Sequence, residues 1–224
     1  MFTAKAFPAP HSPWMYDTVS DRWDIRRVTG PCPGSELGDV LVYVPSLKKV
    51  LYYFSGTREV WLYDPQANAW AKVAAKGPVP TFGIDAVACL DTKRERIYIG
   101  GGYYPLAPGS SAFWAFDLKT KTWMDLQPKG KVCGGCNRYG PNHAAMNYDA
   151  AADAVLLLYY RLPAAGTPDG EFNPGAEALG VYAYDPTTNA WSERLSALPK
   201  DFAGACVNAF YSTGTAPGCV HKVL

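Results

Sequence analysis

The chain has 224 residues, of which 48% are hydrophobic and 14% aromatic, and its formal net charge is +1. This composition is too apolar for a disordered chain, and the absence of a Lys/Arg run argues against nucleic acid as the main partner. No stretch approaches the roughly 18 consecutive apolar residues that a membrane-spanning helix needs.

One ten-residue pattern occurs four times in the chain: an aromatic residue, any residue, a second aromatic residue, Asp, any five residues and Trp. The four copies lie at 14–23, 61–70, 114–123 and 182–191. The first aromatic residue is Trp in the first three copies and Tyr in the last. The two aromatic residues share one face of a strand, and the Asp can accept hydrogen bonds from the turn that follows. Pro65 and Pro186 preset the first φ of that turn, and Asn68 and Asn189 suit its end, where φ is often positive. Each copy therefore predicts a β-hairpin whose rings need neighbouring units to bury them.

Two further strands are predicted before each of the last three hairpins. They cover residues 39–44 and 50–56, 85–90 and 96–102, and 143–148 and 154–160, with short polar links inside each pair. The predicted unit is thus a four-stranded antiparallel sheet with strands a, b, c and d. Residues 14–28 read as a c–d hairpin alone, and residues 205–211 and 219–224 have the character of strands a and b.

The Asp residues of the four hairpins are separated by 47, 53 and 68 residues, near the spacing of about 40–50 that is typical of propeller blades. We therefore predict one all-β domain, a β-propeller of about four blades. Three blades are expected at 29–76, 77–129 and 130–196, and residues 197–224 together with 1–28 would form a fourth blade that closes the ring. The alternative is a piece of a longer propeller, and both stay open at this point.

These units resemble the Kelch repeat, whose members share a glycine pair after the second strand, a Tyr-Asp before the turn and a Trp about six residues later. The aromatic-Asp and Trp elements occur in all four units, whereas the glycines survive only at 100–102. Arg138 and His143 form a loosened version of the Pro-Arg-x-x-His that the family tends to carry. The resemblance covers essentially the whole chain and implies four-stranded propeller blades. Kelch-like propellers include binding platforms, sugar-handling enzymes and isomerases, so the resemblance does not fix an activity.

The long b–c and d–a connections are predicted to lie on one face of the disc, where binding residues usually occur. Loop aromatics and arginines are the candidates for ligand binding, and the arginines suit a carboxylate or phosphate group. These candidates are Arg58, Tyr103, Tyr104, Arg138, Tyr139 and Arg161. For each arginine the alternative is an ordinary solvated side chain. The repeated aromatic residues are instead expected to pack blade against blade, so truncating Trp70 or Trp123 to Ala should cost about 3–5 kcal/mol.

Four residues are predicted at equivalent positions where the innermost strands begin, around the channel mouth: Asp39, Asp85, His143 and Cys206. Such a set could bind a divalent metal ion. The alternative is that the two aspartates cap backbone amides and that the histidine is structural.

Cys133 and Cys136 form a C-x-x-C pair. It fits a local disulfide or plain loop thiols, a redox pair, or a structural metal site with help from Cys32, Cys206 or His143. No cofactor is assigned.

No pattern for a serine nucleophile, a zinc protease or a phosphate-binding loop is present. We therefore expect a module that binds a protein or a glycan through the loop-rich face. One alternative is an enzyme acting on a carbohydrate or another small polar substrate at the mouth, and another is a structural part of a larger propeller. The chain shows no secretory segment, and its six cysteines are too sparse for a disulfide scaffold. Two readings are compatible with this sequence: a cytoplasmic protein, or a secreted or periplasmic protein whose signal segment is missing. The compartment therefore stays open.

Overall fold

The computed structural model describes residues 12–35, 39–80, 86–101, 113–130, 145–160 and 179–195. All regular structure within these residues is β, arranged as three four-stranded antiparallel sheets and one two-stranded hairpin. No helix in the described part of the chain is long and apolar enough to cross a membrane. The predicted all-β class is confirmed.

The N-terminal hairpin pairs β1 (Trp14–Asp17) with β2 (Arg22–Ile25). Sheet I consists of β3 (Val40–Val44), β4 (Lys49–Phe54), β5 (Glu59–Asp64) and β6 (Ala69–Val73). Sheet II consists of β7 (Ala86–Asp91), β8 (Arg96–Gly101), β9 (Phe113–Asp117) and β10 (Thr122–Asp125). Sheet III consists of β11 (Ala145–Asp149), β12 (Ala154–Tyr160), β13 (Leu179–Asp185) and β14 (Ala190–Leu195).

The three sheets share one topology, in which strands that are consecutive in the chain are neighbours in the sheet. Strand β7 contacts both β3 and β11, so the first strands of the sheets lie side by side, as the inner strands of propeller blades do. The predicted a and b strands match the observed ones to within two residues at each end. The segments 205–211 and 219–224, and with them the predicted closure of the ring, lie outside the described residues.

Tight turns with a common construction join strands a to b and c to d. Asp64 accepts hydrogen bonds at Oδ1 from the backbone N–H groups of Gln66 (2.9 Å) and Ala67 (3.0 Å). The turns after Asp17, Asp117 and Asp185 repeat this arrangement, as predicted. Asn68 and Asn189 end their turns with φ of 50° and 52°, which confirms the predicted positive values. The a–b turns after Asp91 and Asp149 use the same cap, which was not predicted from the sequence.

The core lies between the sheets. One cluster joins Leu51, Tyr53 and Val60 of sheet I to residues of sheet II that include Ile99, Trp114, Phe116 and Trp123. A second cluster joins sheets II and III through residues that include Tyr98, Phe113, Tyr182, Tyr184 and Trp191. The rings of Tyr53 and Trp123 meet edge to face, with centroids 5.4 Å apart. The repeated aromatic residues of sheets I to III therefore pack sheet against sheet, as predicted.

The N-terminal hairpin departs from this pattern. Trp14 and Trp23 are 59% and 65% exposed, although they occupy the same repeat positions as Trp114 and Trp123, which are buried. The prediction that all four copies bury their rings thus holds for sheets I to III and not for the hairpin as the structure describes it. The physical reason is that no described strand covers this face of the hairpin.

A backbone bridge links the outer edges of neighbouring sheets. The N–H of Lys76, after β6, donates to the carbonyl of Lys121 (2.8 Å), and the carbonyl of Lys76 accepts from the N–H of Trp123 (2.8 Å). Lys129, after β10, makes the same two bonds to Asn189 (2.9 Å) and Trp191 (2.8 Å). Each bridge residue precedes a glycine, and the chain leaving one sheet is thereby fastened to the outermost strand of the next.

Candidate functional site

The two ends of the sheets differ in their connections. The a–b and c–d turns lie at one end, here called the turn end, because consecutive antiparallel strands reverse there. The b–c and d–a connections lie at the opposite end, here called the loop end, which is the predicted functional face. The structure describes four parts of the loop-end connections: the turn 55–58 and residues 26–35, 74–80 and 126–130.

Asp39 lies at the loop end, immediately before β3, and its carboxylate closes the end of sheet I. Its Oδ1 accepts from the backbone N–H (2.9 Å) and the hydroxyl (3.0 Å) of Ser55, just after β4. Its Oδ2 accepts from the hydroxyl of Tyr52. Because both oxygens already have protein donors, the geometry matches the capping alternative and leaves little capacity for a metal ion.

The strand registers bear on the predicted ring at the channel mouth. Val44 pairs with Lys49, and Asp91 pairs with Arg96, across turns of equal length, so Val44 and Asp91 are equivalent. Counting back along each strand then places Ala86, and not Asp85, at the position of Asp39. Asp85 itself lies outside the described residues, so the predicted ring at the channel mouth stays a prediction.

The segment before β3 is held against the aromatic residues of sheet I. The Tyr52 hydroxyl contacts the carbonyl of Gly34 at 2.9 Å. A Cβ at Gly34 would lie only 2.3 Å from Cζ of Phe54, so the backbone rests directly on that ring. Nearby in the chain, Cys32 is a half-buried free thiol. This part of the loop end is packed rather than open.

Tyr53 and Arg58 lie at the loop end of sheet I. Tyr53 is fully buried, and its hydroxyl donates to the carbonyl of Pro80 at 2.8 Å, which ties the segment 74–80 to sheet I. Burial raises the pKa of Tyr53 well above its ordinary value. Arg58 ends the β4–β5 turn with φ of 59°, and its side chain is exposed. Among the described residues, Arg58 has no hydrogen-bonded or ion-paired acceptor.

Cysteine chemistry has little support in the part of the chain that the structure describes. Cys89 lies in β7 within the core between sheets II and III, and burial raises the pKa of its thiol, which disfavours the reactive thiolate. The described ranges contain no group of three or more His, Cys, Asp or Glu residues that could hold a metal ion. The remaining sequence candidates lie outside the described residues: Asp85, Tyr103, Tyr104, Cys133, Cys136, Arg138, Tyr139, His143, Arg161 and Cys206.

The turn end carries a charged group that no sequence pattern indicated. Arg94 donates to the fully buried Asp91 (2.9 Å) and, through two nitrogens, to Asp153 of sheet III (2.6 and 3.0 Å). The Arg94 guanidinium holds the pKa of Asp153 well below its ordinary value, with help from Lys93 and Tyr148. Its charges are mutually satisfied, so this group fastens two sheets together and does not form an open site.

The sheets, their inner-strand contacts and their two unlike ends define an all-β protein of propeller-like architecture. Neither the models of known protein families nor the curated proteins give a match to this chain. The assignment to this class therefore rests on the sheets and their packing.

Proposed function

We propose that this chain is a Kelch-like binding module that presents the loop end of its sheets to a protein or a glycan carrying carboxylate groups. The observation that carries the proposal is the position of Arg58. It is an exposed arginine in a left-handed turn, directly after a strand end that Asp39 locks in place. Because the backbone that carries Arg58 is already fixed, little conformational entropy of the backbone is lost when this cation binds a ligand.

The contrast with the turn end supports this assignment. There, Arg94 and Arg96 both have carboxylate partners on their own or the next sheet. Arg58 keeps its guanidinium available at the loop end, and a guanidinium binds a carboxylate through two parallel hydrogen bonds. An acidic protein side chain and a uronic acid both present such a group.

Binding is favoured over catalysis by the state of the described acidic and thiol groups. Asp39 is occupied by Tyr52 and Ser55, and Cys89 is buried. A general base needs a free lone pair within reach of a substrate proton, and a nucleophile needs access. The Kelch-like pattern of the hairpins agrees with a binding role, since many such propellers are platforms for partners.

The test uses a microarray that displays neutral oligosaccharides, uronic-acid oligosaccharides and Asp/Glu-rich peptides. The wild-type chain should bind acidic members of one of these classes and ignore neutral ones. Arg58→Ala should weaken that binding about 10- to 100-fold, the range expected for losing charge-assisted hydrogen bonds. Lys119→Ala, which removes an exposed cation of the turn end, is the matched control and should bind as the wild type does. Equal binding by the Arg58→Ala variant, or no acidic ligand at all, would refute the proposal.

A further inference from the structure

The hydroxyl group of Tyr52 lies between two oxygen atoms that both accept hydrogen bonds. One is Oδ2 of Asp39, immediately before β3, and the other is the carbonyl oxygen of Gly34, 2.9 Å away. A tyrosine hydroxyl carries one proton, so it can donate fully to only one of these oxygens at a time. The protonation state of Asp39 therefore decides which oxygen receives that proton.

Two arrangements of protons fit these positions. When Asp39 is ionised, Tyr52 donates to Oδ2 and has no second proton for the carbonyl of Gly34. When Asp39 is protonated, Oδ2 donates to the Tyr52 hydroxyl, and that hydroxyl donates in turn to Gly34. Ser55 donates to Oδ1 from its backbone N–H and its hydroxyl, and this oxygen remains an acceptor in both arrangements. Protonation thus adds one hydrogen bond at Gly34 and removes none.

The segment that contains Gly34 lies directly on an aromatic ring of sheet I. The ring of Phe54 leaves no room for a Cβ at Gly34, and Pro33 beside it is buried. Cys32, two residues before Gly34, is a half-buried free thiol. A hydrogen bond to the Gly34 carbonyl therefore helps to keep the Phe54 ring and the Cys32 thiol covered.

We propose that Asp39, Tyr52 and Gly34 form a proton-operated clasp. Uptake of a proton by Asp39 closes the clasp on the segment 31–35, and loss of that proton opens it and exposes Cys32. Asp39 keeps its bonds to Ser55 in both states, so the switch releases the segment and leaves the end of β4 fixed. The clasp needs no ligand at Arg58 and is therefore independent of the proposed binding function.

The titratable and charged groups around Asp39 in the described part of the chain are Tyr52, Tyr53 and Arg58, and Cys32 lies on the segment itself. Burial raises the pKa of Tyr53, the charge of Arg58 lowers it and the charge of Asp39 raises it, so both charges lie near the Tyr53 hydroxyl. Tyrosine, cysteine and arginine side chains are already protonated below pH of about 7. The carboxyl of Asp39 is thus the group among them whose charge changes in acid.

The rate at which an alkylating reagent labels Cys32 in the full-length chain, followed by peptide mass spectrometry, measures the state of the clasp. Asp39→Asn imitates the protonated carboxyl, because its amide can donate to Tyr52 while its carbonyl oxygen accepts from Ser55. At pH of about 8 this variant should be labelled about three- to tenfold more slowly than wild type, the range expected for one added hydrogen bond. If Asp39 only capped the strand, the loss of its charge would loosen the segment and speed up labelling.

A second set of variants tests whether the hydroxyl of Tyr52 transmits the effect. Combining Asp39→Asn with Tyr52→Phe should restore at least the wild-type rate of labelling. Combining Asp39→Asn with Tyr43→Phe, which removes the hydroxyl of an exposed tyrosine on β3, is the matched control and should leave labelling slow. Circular dichroism confirms that each variant is folded.

The pH dependence gives an independent measurement. As the pH falls from about 8 to about 3, the ratio of the wild-type rate to the Asp39→Asn rate should fall toward one. Taking a ratio at each pH cancels the ionisation of the thiol itself. If Asp39→Asn does not fold, the ratio of the Tyr52→Phe rate to the wild-type rate decides instead, and it should rise about three- to tenfold in acid.

Slow labelling of Asp39→Asn that depends on Tyr52, together with a wild-type rate that converges on it in acid, supports the clasp. Labelling of Asp39→Asn at or above the wild-type rate at pH of about 8 would overturn it. Protection that survives Tyr52→Phe, or a ratio that stays constant with pH, would overturn it as well.

Discussion

Asn189 donates a hydrogen bond from Nδ2 to the carbonyl oxygen of Leu126 at 2.7 Å, and this contact joins the last tight turn of sheet III to the segment leaving sheet II. Its Oδ1 accepts from the hydroxyl of Tyr184 at 2.9 Å. The backbone of Asn189 is left-handed, with φ of 52°. One side chain therefore ends a turn, orients a core tyrosine and fastens two sheets.

Substitution of Asn189 separates these contributions. Asn189→Gly keeps the left-handed backbone and removes both hydrogen bonds, which should lower the free energy of unfolding by about 1–3 kcal/mol. Asn189→Ala adds a left-handed alanine and should cost about 1 kcal/mol more. Urea denaturation with a constant m-value measures both changes.

Lys121 provides the control for this comparison. It holds the equivalent turn position in sheet II with φ of 58°, and its side chain is exposed. Lys121→Gly should be neutral or stabilising by up to about 1 kcal/mol, because it relieves a left-handed backbone without removing a side-chain bridge. A loss as large as that of Asn189→Gly would show that the turn, and not the bridge, sets the cost.

Gly130 is predicted to tolerate no side chain. Its φ is 81°, and a Cβ there would lie 2.5 Å from the carbonyl oxygen of Trp191, the residue that bonds to Lys129. Gly130→Ala should cost at least about 2 kcal/mol, from the left-handed backbone and from the weakened bridge. Lys129→Ala is the control, since only its backbone forms the bridge, and it should stay within about 0.5 kcal/mol of wild type. Thermal or urea unfolding of the pair checks this, and equal stability of the two variants would contradict it.

The strands and tight turns of this protein were predictable from the sequence because they depend on local chemistry. At a fixed spacing, Asp64 predicts a cap on the turn and Asn68 predicts a residue with left-handed backbone. The structure shows the capping hydrogen bond at Asp64 and the positive φ at Asn68. The bridge through Lys76 and Lys129 was not predicted, although a Lys-Gly pair follows at the same distance from two of the repeated Trp residues. The bridge is formed by backbone groups that bond to another sheet, so it leaves no pattern of side chains in the sequence.

The site was less predictable than the fold for a related reason. Equivalence at the loop end depends on the strand registers, and these registers place Ala86 at the position of Asp39. The Arg94 network was missed because its members come from sheets II and III, 59 residues apart. Exposure also differs among equivalent positions, as Trp23 and Trp123 show, since it depends on what covers each sheet.

Trp123 and Trp70 should now differ in their contribution to stability, contrary to the equal cost expected from the repeat. Trp123 is 2% exposed and packs on Phe116 and Tyr53, so its truncation to Ala should cost about 3–5 kcal/mol. Trp70 is half-buried against Tyr52 and Tyr63, and its truncation should cost about 1–2 kcal/mol.

Trp123→Phe is the control for ring burial. The Nε1 of Trp123 is buried and has no hydrogen-bond partner among the described residues, so replacing the indole removes no bond there. Most of the apolar contact is kept, and the cost should stay below about 1.5 kcal/mol. Urea unfolding of the three variants gives the order, and a Trp70→Ala loss equal to that of Trp123→Ala would contradict the difference in burial.

The pH dependence of the free energy of unfolding should report on the ionisation of Asp153. The Arg94 guanidinium lowers the pKa of this carboxyl in the folded protein, so Asp153 stabilises the fold while it is ionised. That contribution is present above the ordinary Asp pKa of about 4 and is lost as the pH falls from there through the lowered folded value. Asp153→Asn should therefore be less stable than wild type at pH 7, and the difference should shrink steadily below pH of about 5.

Asp24→Asn provides the comparison, because Asp24 and its partner Arg26 are both largely exposed at 67% and 49% and such pairs contribute little. Urea unfolding of the three proteins at a series of pH values measures the effect. If the difference in free energy of unfolding between wild type and Asp153→Asn stayed constant down to pH of about 2, the contact between Arg94 and Asp153 would not depend on ionisation of Asp153. In that case the hydrogen bonds of the group would stabilise the sheet II–III junction without charge, and an Arg94→Gln variant, which keeps a donor, should be as stable as wild type.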